Sequence, residues 1–307
     1  MIHLVSLNPS LDIHFDLDPA ERGKVGAVLS QEVLPGGKAL NVARFLRKMR
    51  VPCRTWIAVA GGDHPTHRLY RDLLEATDPG LPIVFIRSKA PVRFNLHLRE
   101  GGAASKYNHP GISPSVSDWE SLKRSLSKRC RPGDIVVLTG RLPKGAPDVL
   151  VRDWVMNFQK KGIVVAVDTS GPPLRWALSA RPFFVKVNLS EMQAALGLRL
   201  KDLDAFQRLV PTLLRRGIAR GAVTDGVRGS IAWEGTSTVR STPPQKAVFS
   251  SVVGAGDGFL AGWLAGIRDR MPLVLQARYA AACGGEVARR GIFSFRPPER
   301  PRDRRHP

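Results

Sequence analysis

Short apolar runs recur along this chain, at residues 2–7, 55–59, 83–86, 135–138, 164–167, 183–187 and 222–224, and most lack apolar–polar alternation. Alternation marks a strand with one wet face, so runs without it need cover on both faces. Between them lie stretches of helical period, such as 147–161 and 204–216, and a capping-box signal at Ser117-Asp-Trp-Glu120. Short buried strands alternating with helices predict an α/β fold built on a mainly parallel sheet with helices on both faces. Ligands then bind at the carboxyl ends of the strands. Polar loops fall there, at 139–145, 188–191 and 225–229. At 307 residues, 43% hydrophobic and 24% charged, with no clean linker, the chain suits one large domain.

Two segments break the rule. Ile13, Phe15 and Leu17 alternate with polar residues, and so do Val92, Phe94, Leu96 and Leu98. Turn residues at 22–24 and at Gly101-Gly102 would return each strand on itself. Half-exposed hairpins at about 12–34 and 91–107 are expected to cover a site rather than fill a core.

The chemistry concentrates at Gly254-Ala255-Gly256-Asp257. Phe259, Leu260, Trp263, Leu264 and Ile267 follow on one face of a helical period, with Gly262 and Gly266 leaving room for a close neighbour. Glycines leading into a helix open main-chain N–H groups toward an anion at the positive end of the helix dipole. Asp257 enters that first turn, where a carboxylate can take a proton from a hydroxyl nucleophile. A second glycine pair, Gly36-Gly37, opens another helical pattern carrying Lys38 and Asn41.

Together, Asn8-Pro-Ser-Leu-Asp12, Gly36-Gly-Lys-Ala-Leu-Asn41-Val-Ala43 and Gly254-Ala-Gly-Asp257 resemble the ribokinase/PfkB family of carbohydrate kinases in identity, order and spacing. The resemblance reaches to about residue 295. It implies a ribokinase-like three-layer sandwich with a small β-sheet lid, and ATP and Mg²⁺ as cosubstrate and cofactor. It makes Asp257 the general base and Gly254, Ala255 and Gly256 the anion hole, with Lys24 reaching the transferring phosphate. Asp12, Gly36, Gly37, Lys38, Asn41 and Arg93 fall on the sugar side. Arg141, where relatives carry a small residue, either adds a phosphate contact or narrows the pocket. Lys186, Asn188, Thr224, Gly226 and Gly229, with Gly254 and Gly256, match the nucleotide side. Asn188 and Glu191 match a motif that organises Mg²⁺, partly through water. The likeness is to the phosphosugar branch, so fructose 1-phosphate, fructose 6-phosphate or tagatose 6-phosphate is the expected acceptor. An unphosphorylated sugar or a nucleoside is the alternative, and the lid suggests a homodimer.

A formal charge of +21 attracts anions in general. It also raises the alternative of a nucleic-acid binder, or of an inactive family member. Aromatic residues are only 7% and the basic residues are dispersed, so nucleic acid is not the expected partner. Three scattered cysteines and a start without a leader pattern point to a reduced cytoplasmic protein with no membrane partner. The Pro- and Arg-rich segment 296–307 is expected to be a disordered tail.

Overall fold

A computed structural model describes residues 1–19, 25–243 and 253–301. Strands β1 (Ile2–Ser6), β2 (Ser10–Leu17) and β3 (Val28–Gly36) lead into helix α1 (Lys38–Lys48). Then come β4 (Cys53–Ala60), α2 (Pro65–Thr77), β5 (Ile83–Ile86), β6 (Arg93–Glu100), β7 (Ala103–Asn108) and α3 (Val116–Arg129). The central part runs β8 (Ile135–Thr139), α4 (Leu150–Gln159), β9 (Val164–Asp168), α5 (Pro172–Ser179), β10 (Phe184–Asn188) and α6 (Leu189–Leu196). The chain continues through α7 (Leu203–Arg215), β11 (Arg220–Thr224), β12 (Ser230–Glu234), β13 (Ser237–Ser241), α8 (Ala255–Arg268) and α9 (Leu273–Arg290).

Nine strands form one sheet in the order β13-β12-β11-β10-β9-β8-β1-β4-β5. From β11 to β5 every pairing is parallel; only β12 runs against the rest, pairing antiparallel with β11 and with the edge strand β13. The strands send alternate residues to opposite layers. Leu4, Val137, Ala166, Phe184 and Ala222 join the core against α1, α8 and α9. Val5, Val136 and Val165 face α3 and α4, while Val185 and Val223 face α6 and α7. Burial on both sides explains why the strands read as unbroken apolar runs.

Small residues on the α8 side let that helix lie close to the sheet, with the Trp263 ring stacked on Phe184 at 4.6 Å between centroids. Helix α9 packs as closely on α8. A methyl group added at Gly262 would sit 2.8 Å from Cys283 Sγ, so the small stripe has the packing role expected of it.

The two alternating segments form a separate four-stranded sheet, in the order β3-β2-β6-β7. Register places Asp12 beside Asn95 and His14 beside His97, which in turn pairs with Lys106. Cross-strand partners share a face, so these polar residues line one side of the lid. Ile13, Leu96 and Tyr107 line the other.

Two local expectations shift. The capping box at the start of α3 uses Ser115 and Asp118, two positions before the one expected, because Ser-x-x-Asp there satisfies the same pair of backbone donors. Residues 296–301 are placed rather than loose. Arg300 bonds Asp269 and the Met49 carbonyl, both at 2.6 Å, and residues 302–307 lie outside the described part. No helix among the described residues is long and apolar enough to cross a membrane.

Candidate active site

Helix α8 begins at the carboxyl edge of the large sheet. Gly254 caps it with φ +83°, and a side chain there would strike Ile292 at 2.7 Å. Both the left-handed backbone and the tight fit demand glycine. Gly256 already lies within the helix. Its requirement is space, since a methyl group would lie 2.7 Å from the Lys186 ammonium. The open first turn of α8, including Ala255, therefore faces a buried cation as well as its own unpaired N–H groups.

Asp257, 5% exposed, accepts a hydrogen bond from Asn41 Nδ2 at 2.9 Å. Burial pushes its carboxyl above the ordinary value; Lys38 opposes the rise and Asp168 adds to it. Asn41 is held by Arg44, whose Nη1 donates to Asn41 Oδ1 at 3.2 Å. Arg44 is fixed by Asp78 Oδ2 at 2.7 Å and the Pro35 carbonyl at 3.1 Å. Neither Arg44 nor Asp78 stood out in the sequence.

Gly37, with φ +129°, caps α1, and a side chain at Gly36 would strike Asp12 Oδ2 at 2.3 Å. The Gly-Gly pair thus admits both the turn and the Asp12 carboxylate. Asp12 Oδ1 accepts from Ser10 Oγ at 2.8 Å and from Asn95 Nδ2 at 2.7 Å.

Lys38 does not stand as an unbalanced cation. Its Nζ meets Asp168 Oδ1 at 3.0 Å and Oδ2 at 3.2 Å, while Thr139 Oγ1 donates to Oδ2 at 3.1 Å. Lys186 Nζ lies 3.9 Å from the same carboxylate. Burial alone would raise Asp168, but Lys38 and Lys186 hold it below the ordinary range. Burial would likewise lower Lys38, but Asp168, Asp257 and Glu191 outweigh it and hold the ammonium protonated. Asp168 was missed by sequence reading. Its one signal was an acidic residue closing the apolar run 164–167.

Arg93, on the lid, donates to the His109 carbonyl at 2.5 Å and the Asn8 carbonyl at 3.3 Å. Burial and the nearby Arg141 charge lower its pKa, against the pull of Asp12. Neither arginine has a carboxylate partner at ion-pair distance among the described residues. Among the described residues, the buried Arg93 Nε, Asn95 Oδ1 and His97 Nε2 have no hydrogen-bond partner. Lys106, which shares the polar lid face, feels both Asp12 and Asp257. The expected lid lysine, Lys24, lies outside the described residues.

On the other side of Gly256, an open cleft is lined by Thr224, Gly226, Gly229, Phe259 and Gly284 among others. Gly226 and Gly229 have φ +54° and +98°, and a side chain at Gly229 would strike the Ser241 carbonyl at 2.3 Å. Asn188 and Glu191 form a reciprocal capping box at α6, with Glu191 N to Asn188 Oδ1 at 2.8 Å and Asn188 N to Glu191 Oε2 at 2.9 Å. Ser190 Oγ also donates to Asn188 Oδ1, at 2.7 Å. That oxygen is fully used, so the expectation of Asn188 as a metal ligand meets a donor already committed. Glu191 keeps Oε1.

A second group with ligand-type atoms, His3, Cys130 and Asp134, lies at the opposite end of the sheet. Trp56 Nε1 donates to His3 Nδ1 at 3.2 Å, which places the proton of the neutral ring on Nε2, toward Asp134. A protonated Nε2 has no lone pair for a metal.

Residues 5–294 match the family described as pfkB family carbohydrate kinase. The chain is similar to 1-phosphofructokinase of Rhodobacter capsulatus, 30% identical over 92% of this chain and 88% of the relative. It is similar to that of Vibrio cholerae, 29% identical over 91% and 86%. In fold it matches phosphofructokinase-2 from Escherichia coli, with a TM-score of 0.86, 24% identity, and 94% and 92% of the two chains covered. Arabidopsis thaliana ribokinase in complex with ribose and ATP matches with a TM-score of 0.69, 20% identity and the same coverage.

Proposed function

We propose that this chain, which belongs to the pfkB family of carbohydrate kinases, transfers the terminal phosphoryl group of ATP to a free hydroxyl of a sugar phosphate, with Asp257 as general base. Its similarity to proteins named 1-phosphofructokinase favours fructose 1-phosphate as acceptor, with fructose 6-phosphate and tagatose 6-phosphate next.

One observation carries the phosphosugar reading. Arg93 and Arg141 feel each other's charge, and among the described residues neither has a carboxylate at ion-pair distance, although Asp12 acts on Arg93 from farther away; beside them, buried polar atoms of Asn95 and His97 lack partners among the same residues. Like charges brought together under a lid call for an anion, and orphaned buried polar atoms call for a polar ligand. A phosphate suits guanidinium groups, and a sugar's hydroxyls suit the amide and the imidazole.

Asp257, more basic than an ordinary carboxylate, takes the proton from the acceptor hydroxyl as it attacks. The first-turn N–H groups of α8, with Lys186 beside Gly256, compensate charge on the phosphoryl group. Asp12 and Asn41 orient the sugar. The apolar cleft beyond Gly256 receives the nucleotide base, with the Thr224–Gly229 turn close against it. Mg²⁺, when bound, neutralises the nucleotide phosphates, and Glu191 Oε1 is the oxygen left to hold one of its waters.

An unphosphorylated acceptor has one observation in its favour: Lys38 is already balanced by Asp168 and does not need a substrate anion. A panel of fructose 1-phosphate, fructose 6-phosphate, tagatose 6-phosphate, fructose, ribose and adenosine, assayed with MgATP, separates the two. Turnover of neutral sugars as fast as of phosphosugars would sink the phosphosugar reading.

The lid also suits a second copy of the chain. Phe94, Leu96 and Tyr107 are 39%, 36% and 59% exposed on its outer side. Sedimentation of the parent and of a Leu96→Lys variant tests this, with a concentration-independent monomer for the parent as the contrary result.

A further inference from the structure

We propose that Asp168 is a positioning residue for phosphoryl transfer: by holding the Lys38 ammonium it leaves Asp257 without an ion pair, free to act as base. The inference rests on the kinase reading above. Asp168 closes β9, is fully buried, and takes three hydrogen bonds within the site, two from Lys38 Nζ at 3.0 and 3.2 Å and one from Thr139 Oγ1 at 3.1 Å. Sheet register accounts for this convergence. Ser6 pairs with Thr139, and Thr139 with Asp168, so the strand ends form one row facing the start of α1.

Asp257 is treated differently. Among the described residues its one side-chain hydrogen bond comes from the neutral amide of Asn41. The charged groups that face it are Lys38 from α1, Asp168 from β9, Lys186 from β10 and Lys106 from β7, with Glu191 of α6 acting on Lys38. Asp168, Asp257 and Glu191 are thus set against Lys38, Lys186 and Lys106, a set balanced before any ligand enters. Without the Asp168 charge, Asp257 would be the carboxylate acting most strongly on Lys38. An Asp257 drawn into an ion pair would be a weaker base and would point away from the acceptor.

The test is the pH dependence of kcat at saturating MgATP and acceptor for the parent, Asp168→Asn and Lys38→Met. Comparing variants at saturation cancels the titration of the substrates themselves. Asp168→Asn should lose roughly 10- to 10²-fold in kcat and move the acid limb about one pH unit lower, since a negative charge near the base is gone. Lys38→Met removes a positive charge and should move the same limb about one unit higher. Limbs that stay with the parent in both variants would make Asp168 structural only, whatever happens to kcat. If Asp168→Asn does not fold, judged by circular dichroism, Lys38→Met decides alone, and an unmoved limb overturns the proposal. The acceptor used is whichever the parent phosphorylates, so turnover of a neutral sugar alone overturns the phosphosugar reading and leaves this test intact. A parent that phosphorylates no acceptor overturns both.

Discussion

Arg44 Nη1 donates to Asn41 Oδ1 at 3.2 Å, and this bond settles which way the Asn41 amide faces. With its oxygen committed to Arg44, Asn41 presents Nδ2 to Asp257. Arg44 is 4% exposed and anchored on Asp78, so the chain Asp78–Arg44–Asn41–Asp257 reaches from the end of α2 to the proposed base.

Arg44→Met should therefore act on turnover through Asn41. Small misplacement of a reacting group can cost up to about 10²-fold in rate, so a loss of roughly 10- to 10²-fold in kcat is expected. Stability should fall as well, by about 1–3 kcal/mol, because the buried Asp78 loses one of its two arginines and keeps only the ion pair with Arg47 at 3.1 Å. Adding Asp78→Leu should recover much of the stability and none of the turnover. Thermal melts and kcat on the same samples would show it; turnover that recovers together with stability would contradict a positioning role.

Asp257→Asn should retain the fold and nucleotide binding while lowering kcat by roughly 10²–10⁴-fold. Nucleotide affinity measured calorimetrically, alongside steady-state rates, checks both halves. Near-parental turnover would remove Asp257 from the chemistry.

Arg93→Ala and Arg141→Ala should each raise KM for the phosphosugar roughly 10- to 10²-fold, the size of a hydrogen bond to a charged group. KM for ATP should change little. An Arg141→Ala variant with unchanged acceptor KM would mean that Arg141 narrows the pocket without touching the phosphate.

The lid predicts a pH effect on stability. Burial, Lys106 and His14 push His97 down to about 4, and its ring stacks on His14 at 4.3 Å. The unfolded chain takes up this proton near pH 6.5, the folded chain only near 4. In that window the unfolded state binds more protons, so stability falls as pH falls. Burial lowers His3 too, in the same direction. Urea unfolding between pH 7 and 4.5 should show the decline, and His97→Phe should flatten it. A His97→Phe slope equal to the parent's would mean that His97 titrates normally.

Local patterns were enough to foresee much of this protein. The strand runs, the alternating lid segments and the glycine-led helix starts depend on period and on φ at single residues such as Gly37 and Gly254, which neighbouring sequence determines. A close neighbour for α8 was legible for the same reason, as small residues at helical spacing leave room whatever fills it; that α9 fills it was not. Charge balance was not legible. Lys38 was placed on the sugar side with no partner in view, whereas Asp168, 130 residues away, already neutralises it. The Asn41–Asp257 bond spans 216 residues, and Asp78 reaches Arg44 from the end of another helix. Electrostatic partners are set by distance in space, and that distance exists only once the parallel register has brought the ends of β1, β8 and β9 into one row.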